Sequence, residues 1–153
     1  MVAVVPQWGD ITEAVGVALS GDRVRGVAML SACWDGTADE DHGQRCVITH
    51  YLADLQDDLA DEVAWDARAL TEHGQVADAG LTEIGIPSAR GMAPSLHLNL
   101  GDGYLRQGRV HDARAQVELA LTTVDALGED GYGAMIRRGL AGLQERIQAT
   151  VPD

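Results

Sequence analysis

Along most of this chain, apolar residues recur at three- and four-residue intervals, and turns of only two or three residues separate many of the runs they form. That spacing gathers the apolar side chains on one stripe of an α-helix. Turns so short make consecutive helices lie antiparallel, so the chain is constrained to a series of helical hairpins. Ile11, Ala14, Val15 and Ala18 form the first run, with Asp10 as its cap and Gly21 as its stop. Asp22 opens the second, in which Val24, Val27, Ala28, Met29 and Leu30 lead towards Trp34. An acidic loop, DGTADEDHG at 35–43, precedes a helix from Cys46 to Gln56 that carries Val47, Ile48, Tyr51, Leu52 and Leu55. The chain reverses at Asp57 and Asp58, and Leu59, Val63, Ala67 and Leu70 give the next helix an apolar face that ends near Gly74.

Between 75 and 91 the periodicity weakens to a short helix through Val76, Ala79 and Leu81, followed by the loop IGIPSARG. Helical order returns from Pro94 to Gln107, turns at Gly108 and resumes from Val110 to Leu127. A final helix at about 132–149 places Met135, Ile136, Leu140, Leu143 and Ile147 on one side. Arg137, Arg138, Gln144 and Arg146 lie among them, which suits a capping helix whose outer face meets solvent. The predicted fold is all-α, with seven or eight helices in one domain over 1–153. Its stacked antiparallel hairpins fall at about 10–34, 44–73 and 94–128.

Composition limits the function. The 153 residues carry a net charge of −13, and residues 1–76 hold fourteen acids against four Arg. Such a field repels polyanions, because nucleic-acid affinity comes largely from Lys and Arg neutralising phosphates, so nucleic acid is excluded as the main partner. All positive residues are Arg and there is no Phe, a bias typical of a high-GC bacterial genome. Cys33 and Cys46 read as reduced thiols, since a core of this size needs no disulfide. MVAVVPQW lacks the positive region and the apolar length of a secretion signal. No segment approaches the roughly 18 apolar residues of a membrane span, so the expected location is the cytoplasm, with no membrane partner.

The segment HLNLGDGYLRQGRVHDARAQVELAL, residues 97–121, resembles a tetratricopeptide repeat. Leu100-Gly101, Tyr104, Gly108, Ala113 and Ala120 stand at that family's spacing, with small residues where helices approach closely and a Gly at the turn. His97 stands where the family usually has Trp, and the terminal Pro is absent near Asp125. Gly21 followed by Gly26 matches the family's turn-to-small spacing more loosely, and the middle hairpin aligns with 97–121 at an offset of 50 or 51. The resemblance implies a right-handed superhelix in which the first helices of successive hairpins form a groove for a protein or peptide segment. Ser95, Asn99, Asp102 and Arg106 form one polar stripe that matches the family's inward-facing positions. The resemblance further implies that Asn99 would hydrogen-bond a ligand backbone, Arg106 would meet a carboxylate and Asp102 a donor. Tyr51 and Asp54 of the middle hairpin complete the predicted groove set.

Other chemistry is thinly represented. Cys46, His50 and Asp54 recur at four-residue intervals on one helix face, yet no HExxH or paired CxxC accompanies them. Packing of Cys46 in the core, with His50 at a hairpin interface, is therefore favoured over a metal site. Asp54, Asp57, Asp58, Asp61 and Glu62, like Asp39-Glu40-Asp41, lack the alternating ligands and Gly of a calcium loop and read as solvated surface. Gly101-Asp102-Gly103 has neither the preceding strand nor the third Gly of a dinucleotide loop. Trp8, Trp34 and Trp65 read as packing residues, with Trp8 in an unstructured start the most exposed. The expectation is a binding module without cofactor or catalysis, and its competitor is a self-associating module that forms a homodimer.

Overall fold

The computed structural model describes residues 8–150. Among them are seven α-helices and no strand: α1 (Trp8–Leu19), α2 (Arg23–Asp35), α3 (His42–Asp54), α4 (Leu59–His73), α5 (Ala93–Arg106), α6 (Val110–Leu121) and α7 (Gly131–Thr150). The helices pack mostly as consecutive antiparallel pairs: α1 on α2, α3 on α4 and α5 on α6, with α7 lying against α5 and α6. None is long and apolar enough to cross a membrane.

Local chemistry sets the turns. Gly21 and Gly108 adopt positive φ values of 99° and 78°, where a Cβ would clash with the backbone. The α3–α4 turn manages without glycine because Asp58 accepts a hydrogen bond from the Asp61 amide and caps α4. Asp22 caps α2 in the same way through the Arg25 amide. Arg23 then ties the first hairpin to the second, donating to the Leu55 carbonyl at 2.8 Å and to Asp57 at 2.9 Å.

Helix boundaries differ from the expected ones at three places. α3 starts at His42 rather than Cys46, because Asp41 organises the acidic loop: its carboxylate accepts from the Ala38 amide and its carbonyl from the Arg45 amide. α6 stops at Leu121 rather than Leu127. There the Thr122 and Thr123 hydroxyls donate to the Leu119 and Ala120 carbonyls, and the chain continues as a 3-10 turn at Val124–Ala126. The short helix expected through Val76–Leu81 does not form. Residues 74–81 instead make successive i→i+3 turns, and 3-10 turns follow at Thr82–Ile84 and Ala89–Met92. Asp78 holds this connection closed, accepting from the Ser88 hydroxyl at 2.6 Å, while Arg90 reaches Asp125 and the Thr122 carbonyl.

The largest apolar cluster joins α1 to α4 with the start of α5, around Ile11, Leu30, Ile48, Leu52, Leu81 and Leu96. Burial of a side chain of this size contributes about 1.5–3 kcal/mol. Two smaller clusters lie between α5, α6 and α7, one on Ala113, Val117, Leu143 and Ile147 and the other on Ala120, Leu127, Ile136 and Leu140. Gly101 is buried at this crossing, and a Cβ built there would stand 3.1 Å from Leu143 and 3.2 Å from Gln116. Trp8 is not in an unstructured start: it opens α1 and packs, partly buried, against the large cluster. Trp34 and Trp65 meet edge-to-face with ring centroids 5.5 Å apart, and the Arg45 guanidinium lies 4.6 Å over Trp34.

Candidate functional site: a groove with an apolar and an acidic end

Two helices present corresponding faces. On α3, His50, Tyr51 and Asp54 follow at helical spacing, and on α5 so do Ser95, Asn99, Asp102 and Arg106. One turn of helix separates Ser95 from Asn99, and less than one separates Tyr51 from Asp54. Both faces therefore run from one recess into a second that adjoins it.

The first recess is a cavity of about 430 Å³. Thr12 and Val15 of α1, Val47, His50 and Tyr51 of α3, and Ser95 of α5 line it, together with Tyr132 of α7. Ile84, Ile86, Gly91 and Met92 from the 75–91 connection supply the remaining wall. Its character is apolar. Ser95 is buried and its hydroxyl is already engaged, donating to the Met92 carbonyl at 2.9 Å. His50 stacks edge-to-face on Tyr51, and its Nδ1 is buried without a hydrogen-bond partner. Burial pushes its imidazole pKa down to about 4, so the ring is neutral at pH 7. Burial and the neighbouring Asp54 together push the Tyr51 hydroxyl above its ordinary range.

The second recess is about 180 Å³ and is lined by Asp54, Glu62, Asp66, Asn99, Asp102 and Arg106. Four of the six are carboxylates. Arg106 is paired with Glu62 and, at 2.9 Å, with Asp102, whose other oxygen receives Arg146 of α7 at 2.8 Å. Asp66 lies deepest. It is 4% exposed, and it makes no hydrogen bond or ion pair within the described residues. Burial, reinforced by the charges of Asp54, Glu62 and Asp102 against the opposing Arg106, pushes its carboxyl up to about 8. Burial and Glu62 raise Asp54 as well. Asp66 is thus held protonated at neutral pH, and the recess is rich in acceptors.

The structure therefore divides the predicted groove set. Tyr51 and Ser95 belong to the apolar cavity, while Asp54, Asn99, Asp102 and Arg106 belong to the acidic recess. Arg106 and Asp102, read as meeting a ligand carboxylate and a ligand donor, are already joined to each other and to Glu62 and Arg146. The trio Cys46, His50 and Asp54 is likewise separated. Cys46 is fully buried in the core, where burial pushes its thiol up to about 12; His50 lines the cavity and Asp54 the recess. No group of three or more His, Cys, Asp or Glu among the described residues is placed to hold a metal ion.

Of the acidic cluster read as solvated surface, Asp57 and Asp58 are exposed, whereas Glu62 turns towards α5. Glu62 and Asp66 are the two recess residues outside the predicted groove set. A signal for Asp66 was present in the sequence: Leu59, Val63, Asp66 and Leu70 follow at spacings of four, three and four, which sets a carboxylate in an apolar stripe. Comparison with known proteins returns no match, whether to a family model, a curated protein or a solved structure.

Proposed function

We propose that the protein is a binding module that holds a segment of a partner protein or peptide in the groove between α3 and α5, and that it is not an enzyme. The carrying observation is the contiguity of two unlike recesses on one pair of helix faces, apolar beside Ser95 and acidic beside Asn99 and Asp102. An extended segment suits such a groove better than a compact ligand, because it can place one side chain in each recess while its backbone runs between them. Asn99 is the polar side chain positioned to hydrogen-bond that backbone. The acidity of the whole chain favours a basic or neutral partner over nucleic acid. The hairpins are read as tetratricopeptide-like and stacked in a right-handed superhelix, α7 being the capping helix. The tight approach of Gly101 to Gln116 and Leu143 supports that reading of 97–121.

Asn99→Arg tests the groove, since it would fill the acidic recess with a cation from the protein itself. The expected outcome is loss of the partners captured by the parent protein from its native lysate, with an unchanged melting temperature. A folded Asn99→Arg protein that retains every partner would remove the groove assignment.

Self-association is the second reading, favoured by Leu19 and Val24, which flank the α1–α2 turn at 71% and 85% exposure. Light scattering on the purified protein separates the two. A monomer at micromolar concentration supports the groove, and a dimer dissolved by Leu19→Ser with Val24→Ser supports the alternative.

A further inference from the structure

We propose that the acidic recess is the receptor for a basic side chain, Lys or Arg, of the partner segment, with the Asp66 carboxylate as its innermost ligand. The inference rests on the groove reading and adds the chemistry of the partner. Four carboxylates surround a space of about 180 Å³, and within it only Arg106 opposes them. That one cation sits at the mouth, 43% exposed along its side chain and joined to Glu62 and Asp102. It leaves Asp66 unpaired at 4% exposure. A buried carboxyl without a partner is costly in either protonation state, and an ammonium or guanidinium group is the ligand that relieves it. The other charged and titratable groups around the site are Asp54 from α3, Glu62 from α4, Asp102 from α5, and Arg146 from α7, which reaches Asp102. An anionic ligand would meet a net negative wall.

The geometry also sets a spacing. On α5, Ser95 lines the apolar cavity and Asp102 is the middle of the three residues that line the recess, seven residues on and hence roughly 10 Å away. A chain in the polyproline II conformation, whose side chains return to one face every third residue at about 3.1 Å per residue, covers that distance in three residues. The matching segment therefore carries an apolar side chain and a basic one about three positions apart.

Uptake of the cation requires the ionised form of Asp66, so its proton leaves to solvent as the ion pair forms. Because that carboxyl is held at about 8, affinity should rise about tenfold per pH unit below 8 and level off above it.

The probes are the tetrapeptide acetyl-Leu-Ala-Ala-Lys-amide, its twin with norleucine in place of lysine, and n-butylammonium chloride, titrated calorimetrically between pH 6 and pH 9. The expected result is that the lysine peptide binds at least tenfold more tightly than its twin at pH 8.5. Its affinity should climb with pH, and n-butylammonium should compete with it. Asp66→Asn, which is isosteric with the protonated acid, should remove the pH dependence. Glu62→Gln should weaken binding while leaving the dependence in place.

Equal binding of the two peptides, or an affinity indifferent to pH and to Asp66→Asn, overturns the inference and leaves the groove reading standing. Competition for n-butylammonium by millimolar calcium or magnesium overturns it in favour of a metal site. If n-butylammonium binds with the expected pH profile while neither peptide does, the cation receptor stands and the groove reading falls.

Discussion

Helix α4 carries two carboxylates buried to the same degree. Asp66 and Glu72 are each 4% exposed, six residues apart and about 120° round the helix from one another. Their neighbours differ completely. Glu72 receives His42 Nδ1 at 2.6 Å and Arg68 Nε at 2.9 Å, with an Arg45 guanidinium nitrogen at 3.9 Å. Burial alone would push its carboxyl up, but the hydrogen bonds from His42 and Arg68 and the charges of both outweigh burial and hold it below the ordinary range. Burial, with Asp54, Glu62 and Asp102 beside it and only Arg106 opposing them, pushes the Asp66 carboxyl up to about 8. Equal exposure thus accompanies one acid that ties α3 to α4 and one with no cation at hydrogen-bond distance. The lesson is that burial of a charge identifies nothing until its neighbours are counted.

The two acids also give stability opposite slopes in pH. Glu72 contributes stability that is fully present above its unfolded value of about 4.3 and is lost as pH falls through its lowered folded value. Asp66 costs nothing below its unfolded value of about 3.9. Its cost then grows as pH rises, and becomes constant above about 8.

The largest effect should come from cutting the tie. Glu72→Ala removes the acceptor of the His42 and Arg68 hydrogen bonds, while Arg45 keeps Asp39 at 3.3 Å, and should destabilise the protein by about 2–4 kcal/mol in chemical denaturation. Next is the opposite manipulation. Asp66→Asn should match the parent near pH 3 and gain about 2–4 kcal/mol on it between pH 5 and pH 8; parallel curves would show that Asp66 is not held protonated.

A smaller effect tests whether close packing of α5 on α4 sets the recess. A Cβ built at Gly103 would stand 2.8 Å from Cγ2 of Val63, a buried β-branched residue with little freedom to move. Gly103→Ala should therefore cost about 1–3 kcal/mol by denaturation and also weaken cation uptake, whereas Glu72→Ala variants that remain folded should keep it. The smallest effect is expected from Arg106→Ala. Its ion pairs are partly exposed, so the loss should be about 0.5–1 kcal/mol, shrinking in high salt.

The helices were legible because each has an apolar stripe of its own, and α5 with α6 was most legible because Gly101, Tyr104 and Gly108 added turn and crossing chemistry to the period. What escaped was carried by contacts between distant residues. Nothing local to Glu62 announces that Arg106, 44 positions on, will draw it towards α5, and nothing local to Glu72 announces His42, 30 positions back. The end of α6 did leave a local trace. Thr122-Thr123 offers hydroxyls to the last carbonyls of the helix, yet the apolar pattern continues through Val124 and Leu127 and masks it. Half of the groove was visible as a polar stripe on α5. The facing wall on α4 was hidden because an Asp in an apolar stripe breaks the pattern used to find the stripe.

The apolar interior is divided into one large cluster and two small ones, with Leu98 packed against both of the small ones. Met92 and Leu96 anchor the start of α5 in the large cluster and α6 pairs closely with α5, so the seam where α7 meets this pair, filled by the two small clusters, is the place to open first. Such a chain opens in stages, and amide hydrogens of α7 should exchange faster than those of α3. The Arg146–Asp102 bridge crosses that seam at the edge of the acidic recess. A ligand that orders Asp102 should therefore slow exchange along α7 around Arg146, about four turns beyond Tyr132, the α7 residue that lines the cavity.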